Sequence, residues 1–205
     1  ELEMNLNFGF DINDEMLMDL AKNTQHQVSH LLSTLDEFRS FLRPDKPKEK
    51  INISTLIKSV LVLLKDDLIT NGIETEILGN NNLEFEVIVN EVKHIFINLV
   101  SNSKDAFNSN ETEDRRLIFN ILEKKGFNSI EITDTAGGIP SNVIDDIFKA
   151  NVTTKEEGKG TGIGLYMSTQ IAQKNGGDIS VKNVSNINNI EGLCGARFTF
   201  NIANT

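Results

Sequence analysis

The sequence predicts an α/β sandwich, a mixed sheet with helices on one face, preceded by one long helix. Three observations carry this. A charged, proline-punctuated stretch, Pro44 to Lys50, separates a helical segment from a region of alternating elements. In that region short runs rich in β-branched and aromatic residues alternate with runs of helical period. Finally, four alternating glycines from Gly158 to Gly164 open directly onto an amphipathic run, Leu165 to Lys174.

The chain has 205 residues, 39% of them hydrophobic, enough for one or two domains with a core. A formal net charge of −10 argues against nucleic acid as a partner, since phosphate backbones need a basic face. The single cysteine, Cys194, allows neither a disulfide framework nor a Cys-based zinc site. Its three histidines, His26, His30 and His94, are too scattered for a metal cluster. There is no run of ~18 apolar residues that would span a membrane, and no signal-peptide pattern. The opening at Glu1, without an initiator Met, reads as a piece cut from a longer protein, whose parent is free to carry a membrane sensor.

A helix is expected from Asn13 to about Leu42, capped by Asn13 or Asp14 and stopped by Arg43-Pro44. Val28, Leu31, Leu35, Phe38 and Leu42 step by three and four, a seam suited to another helix or to its own globular domain. After the boundary, Ser54 caps a helix to about Thr70, and Ile73–Leu78 and Leu83–Val89 read as a pair of strands. Glu91–Phe107 is a helix, and Asn108–Asp114 a polar loop. Leu117–Glu123 and Ser129–Thr133 form a hairpin around Lys124-Lys125-Gly126, and a short helix covers Ser141–Phe148. Gly176-Gly177 caps the glycine-loop helix. Strands Asp178–Asn183 and Ala196–Ile202 finish the chain across an Asn-rich loop.

The glycine run is the first chemical signal. A Gly-rich turn opening a helix aims free N–H groups and the positive end of the helix dipole at an anion; the bland reading is a flexible linker. It is not a P-loop, because Gly160 follows Gly158-Lys159 where Ser or Thr would be needed. It is not the dinucleotide fingerprint either, which needs wider spacing and a strand before it. The second signal is the 91–107 helix. Val92, Ile95, Phe96, Leu99, Val100, Ser103, Ala106 and Phe107 make its apolar stripe, and Glu91, His94, Asn98, Asn102 and Asp105 an adjoining ridge. Two asparagines one turn apart suit a purely solvated face poorly. An Asn oxygen can share a magnesium ion with substrate phosphates, or the pair can be plain surface. The third is Asp134-Thr135-Ala136-Gly137-Gly138-Ile139-Pro140 at a strand end, where a carboxylate can accept from an exocyclic amine beside a flat ring; its bland reading is an ordinary Asp-Gly turn.

In this order the motifs resemble the ATP-binding domain of sensor histidine kinases, within the superfamily of gyrase, the Hsp90 chaperones and MutL. Asn98-Leu99-Val100-Ser101-Asn102-Ser103-Lys104-Asp105-Ala106 is similar to the N box, Asp134–Pro140 to the G1 box, Ile147-Phe148-Lys149-Ala150 to the F box, and Gly158–Leu165 to the G2 box. Gly192–Phe200 resembles the closing strand turn, so that the likeness covers about 150 residues in family order. It implies a Bergerat-type fold and ATP with Mg2+ as ligands. It also implies roles. Asn102 would hold magnesium, Asp134 would accept from the adenine amine, and Thr199 would line the adenine pocket. Gly138, Ile139, Gly160, Thr161, Gly162, Gly164 and Leu165 would line the nucleotide, and Lys155 would reach a phosphate. Thr153–Glu157 would be the mobile part of an ATP lid. Asp105 stands where many of these kinases have lysine, and Ala136 where G1 usually has glycine.

In the family's hydrolases the position of Asn98 is a Glu that activates water. An amide cannot take a proton, so a general-base contribution of roughly 10²–10⁴-fold is lost, while positioning still serves phosphoryl transfer. Glu91 and His94 lie on the same ridge as conceivable substitutes. The resemblance therefore implies a protein histidine kinase fragment of a cytoplasmic two-component system, passing phosphate onward to a response-regulator receiver domain. Asp36-Glu37-Phe38-Arg39-Ser40-Phe41 is similar to the end of the second dimerisation helix. Residues 1–46 would thus be a partial dimerisation segment serving a homodimer, and 47–205 the catalytic domain. His30 lacks the acidic residue and proline of a phosphoacceptor box, which puts the acceptor histidine before Glu1. The other readings are a non-catalytic nucleotide-binding module and an ATP-hydrolysing clamp of the gyrase or MutL kind.

Overall fold

The computed structural model describes residues 16–18, 20–22, 24, 25, 28, 47–153, 155 and 160–203. The chain divides into two units, Glu1–Leu42 and Arg43–Thr205. In the first, all of the described residues are helical, as the 13–42 reading expects. Seam positions Leu31, Leu35, Phe38 and Leu42, and His30, lie outside the described residues.

The second unit runs β1 (Glu49–Asn52), α1 (Ile53–Leu63), α2 (Lys65–Thr70), β2 (Glu74–Gly79), β3 (Glu84–Val87), α3 (Val89–Ser109), β4 (Arg116–Lys124), β5 (Phe127–Asp134), α4 (Gly164–Lys174), β6 (Gly177–Ser185) and β7 (Cys194–Ala203). Five strands form a mixed sheet in the order β2-β4-β5-β7-β6, in which only the β2–β4 pair is parallel. The helices cover one face. Phe96 of α3 meets Phe119 of β4 and Phe200 of β7 edge-on, each at 6.4 Å, and all three are fully buried. Such contacts add about 0.5–1.5 kcal/mol per pair beyond burial itself.

Four expectations need correction. The 73–78 and 83–89 segments do form strands, but not with each other. β2 pairs with β4, while β3 pairs antiparallel with β1, a strand in what had read as linker. The first helix is capped by Asn52, whose side chain accepts from the Thr55 N–H at 2.9 Å, and not by Ser54, which is buried in the first turn. That helix ends at Leu63, and a second one follows from Lys65. Residues 141–148 form successive turns instead of a helix: Pro140 O accepts from the N–H groups of Val143 and Ile144, and Val143 O from that of Asp146. Still, Ile147 is buried and Phe148 packs edge-on against Phe198 at 6.4 Å.

The hairpin and the cap of α4 follow expectation. Lys124 pairs with Phe127 across a two-residue turn, and Gly176, with φ +83°, ends the helix after Asn175.

Candidate functional site

The site is built where α3, the end of β5 and the start of α4 converge. On β5 the side chains alternate, so Ile130, Ile132 and Asp134 share the helix-covered face. Asp134 is therefore delivered beneath α3, 4% exposed. Its Oδ1 accepts from the Ala136 N–H at 3.0 Å and the Ala196 N–H at 3.1 Å. The Ser103 hydroxyl lies 3.4 Å from Oδ2 and 3.1 Å from Leu99 O, with one proton to give. Burial pushes the Asp134 carboxyl above the usual aspartate value, and the two N–H groups and the hydroxyl pull it partway back. Oδ2 thus keeps acceptor capacity for a neutral amine donor.

The glycine turn after Asp134 is tied on several sides. Gly137 N–H donates to Cys194 O at 3.0 Å, and Asn110 Nδ2 to Ala136 O at 2.5 Å. From β6, the Asn183 amide accepts from the Ile139 N–H and donates to the Ile139 carbonyl, both at 2.8 Å. Gly138 has φ +92°, and a Cβ there would lie 2.8 Å from Asn183 Oδ1, so only glycine fits this turn. Ile139 packs partly buried against the core.

On α3, Asn98 and Asn102 lie one turn apart, as their spacing predicts. Asn98 Nδ2 donates to Ser168 Oγ of α4 at 2.9 Å, and Ser168 Oγ donates to Gly164 O at 3.0 Å. A Cβ on Gly164 would collide with the Asn98 carbonyl oxygen, so the two helices touch here without a side chain between them. Asn102 Nδ2 reaches toward Asn98 Oδ1 at 3.5 Å. The Lys155 ammonium pairs with Asp105 at 2.6 Å and lies 3.5 Å from Asn102 Oδ1.

The glycines lead into α4. Gly160 packs against Thr153 and Lys155, and Gly162 against Asn151 and Val152, with Asn151 N–H donating to Gly162 O at 3.0 Å. Thr161 Oγ1 accepts from the Ile163 N–H at 3.4 Å, and no side chain caps the helix itself. The first-turn N–H groups of α4 therefore keep the anion-binding character read from the glycine run. Leu165 packs against the core. Gly158 and Lys159 lie outside the described residues.

Two candidates fall away from this cluster. Thr199 pairs with Glu131 and Ser180, on the sheet face opposite to Ile130 and Phe200. The structure thus does not bring it to Asp134, whose hydrogen-bond partner on β7 is the Ala196 N–H. Glu91, considered as a substitute base, is 5% exposed and bound to Lys174 at 2.9 Å and Asn175 Nδ2 at 3.4 Å. Sequence reading missed Ser103, placed in the apolar stripe, and Ser168 and Asn183, which no local pattern distinguishes.

The residues fit a shared magnesium ion. Asn102 offers a hard neutral oxygen that already attracts an ammonium group, with the Asp105 carboxylate beside it. Among the described residues no set of three acidic, His or Cys side chains could hold a metal. An ion here would draw its other ligands from phosphate and water.

Comparison with known proteins finds a family, curated relatives and solved structures similar to this chain. Residues 88–205 match the family described as "Histidine kinase-, DNA gyrase B-, and HSP90-like ATPase". The chain is 29% identical over 177 residues to sensor kinase CckA of Brucella abortus, covering 80% of this chain and 18% of that protein. It is likewise 29% identical over 160 residues to sporulation kinase A of Bacillus subtilis, covering 76% and 25% respectively. The chain thus spans a quarter or less of these two relatives. A nucleotide-free catalytic domain of histidine kinase ThkA superposes with TM-score 0.65 at 25% identity, covering 77% of this chain and 96% of that one. A crystal structure of ThkA in complex with response regulator TrrA gives TM-score 0.73 at 21% identity, covering 100% of this chain and 56% of that one. With more than half of its residues matched and the carboxylate, asparagine ridge and glycine-led helix in one place, the chain belongs to the histidine kinase-, DNA gyrase B- and HSP90-like ATPase family.

Proposed function

We propose that this chain is the ATP-binding catalytic part of a sensor histidine kinase. It binds Mg–ATP and transfers the γ-phosphoryl group to a histidine upstream of Glu1, for relay to a response-regulator receiver domain. One observation carries the reading: a buried carboxylate, Asp134, meets at Ser103 the same helix, α3, whose Asn98 meets the uncapped start of α4. Asp134 would take the adenine amine. The first turn of α4 and Lys155 would meet the phosphates, and Asn102 would hold the magnesium, whose charge would stabilise the phosphates in transfer.

Transfer is favoured over hydrolysis by Asn98. Its amide is committed to Ser168 and has no proton-accepting nitrogen, and Glu91 is held by Lys174. Residues 1–46 would be the end of a dimerisation hairpin, with 47–205 as the catalytic domain of a homodimer in the cytoplasm. Among the described residues no helix is long and apolar enough to cross a membrane. The sensor-kinase relatives and the ThkA–TrrA complex support the signalling role by likeness.

Calorimetry should detect Mg–ATP binding, and labelled ATP should yield only slow steady-state phosphate release. Fast release that Asn98→Ala abolishes would overturn the kinase reading in favour of a hydrolase. Acid-labile, base-stable label on the chain that His30→Gln removes would overturn the upstream acceptor.

A further inference from the structure

Lys155 is held from two sides. Its ammonium contacts Asp105 Oδ2 at 2.6 Å and Asn102 Oδ1 at 3.5 Å, acceptors three residues apart on one ridge of α3. Its stem lies along Gly160, where an added Cβ would stand 3.0 Å from Lys155 Cδ and 3.2 Å from its Cβ. An ordinary exposed ion pair contributes only about 0–1 kcal/mol. This one is about two-thirds sheltered, at 31% and 37% exposure, and engages a third group. That third group is the amide oxygen assigned above to magnesium. An ammonium and a divalent ion compete for such hard oxygens, and two cations on one oxygen repel each other.

We propose that Lys155 is a built-in cation that takes the divalent ion's place on Asn102. Asp105 holds it there and so latches Lys155, and with it Gly160 packed on its stem, to α3, and the ammonium is exchanged for the metal when nucleotide arrives. The exchange rests on Asn102 being the metal ligand; the latch rests on the Asp105–Lys155 geometry alone. After exchange, Asn102 would hold the ion with Asp105 beside it, and the Lys155 ammonium, freed from both, would be available to a phosphate oxygen. No bond is made or broken, and the positive charge beside Asn102 is kept throughout.

Two measurements test this. Amide hydrogen exchange over residues 151–153 and 160–163, without nucleotide, should be several-fold faster in Lys155→Gln and in Asp105→Asn than in the wild type. Unchanged rates in both variants would overturn the latch. ATP affinity should then be compared in EDTA and in magnesium. Lys155→Gln should lose several-fold more ATP affinity without metal, where among the described residues the Lys155 ammonium is the cation beside Asn102, than with metal. Lys155→Arg should retain metal-free binding. Equal losses in the two conditions would make Lys155 a plain phosphate contact and overturn the exchange. A wild-type chain that binds neither ATP nor adenosine would overturn the nucleotide reading and the exchange together, while the hydrogen-exchange rates would still decide the latch.

Discussion

Asn98 and Ser168 join the two helices that frame the site, Asn98 Nδ2 donating to Ser168 Oγ at 2.9 Å. Gly164, one turn before Ser168, leaves room for the Asn98 amide, and a methyl group there would strike its oxygen. Gly164→Ala should displace Asn98, break its bond to Ser168 and cost about 1–3 kcal/mol in urea denaturation. In an Asn98→Ala background the same change should cost much less, a coupling of about 1 kcal/mol or more in a double-mutant cycle. Additive costs would mean that the helices do not meet through this pair.

Asp134 makes stability depend on pH in a defined direction. Its carboxyl is raised above 3.8 by burial. Between 3.8 and the higher folded value, the folded chain holds a proton that the unfolded chain has lost. This group's contribution to stability therefore falls as pH rises through that window and stays low above it. Asp134→Asn is nearly isosteric, keeps an oxygen for the Ala136 and Ala196 N–H groups, and carries no charge. Its stability relative to wild type should improve with pH across the window, read from urea midpoints at a series of pH values. A difference independent of pH would contradict the burial cost.

Asn102→Ala should separate metal from base. Loss of a ligand to magnesium should weaken binding of ATP with magnesium about tenfold or more, an effect of the size of one charge-assisted contact. Adenosine affinity should barely change, since the contacts assigned to the base lie at Asp134. Calorimetry with both ligands decides it, and equal losses would refute the metal role.

Asn183→Ala should act in the opposite sense. It removes both 2.8 Å bonds to Ile139, which fix the glycine turn from β6. The expected cost is about 1 kcal/mol of stability, because these bonds are exposed. Adenosine and ATP should weaken together, and a loss confined to ATP would place Asn183 outside the base-binding end.

Much of this molecule was legible in one dimension. The period of 91–107 separates the apolar stripe from the Asn ridge, and α3 buries that stripe except for Ala106, which is partly buried, while Glu91 of the ridge is buried with it. Gly176, the Lys124–Phe127 turn and the strand ending at Asp134 were each marked by local chemistry. Local signals failed where a distant partner supplies the missing group. No side chain in its own sequence caps α3; instead the Ile88 N–H just before it donates to Asn175 Oδ1 from the end of α4, at 2.7 Å. Likewise, Glu49–Asn52 becomes a strand only because Glu84–Val87 lies beside it.

The sequence by itself determined the chemistry of the site: a carboxylate at a strand end, two amides one turn apart, and glycines opening a helix. These follow from backbone period and from which side chains can accept, donate or stay out of the way. Only the tertiary structure decided which groups meet. Strand pairing put Thr199 on the far face from Asp134 and the Ala196 N–H against it, because side chains alternate across a sheet and register fixes their side. Packing of α3 on α4 turned Asn98 toward Ser168 and left Lys155 between Asp105 and Asn102. Such contacts join residues tens of positions apart, and no spacing along the chain encodes them.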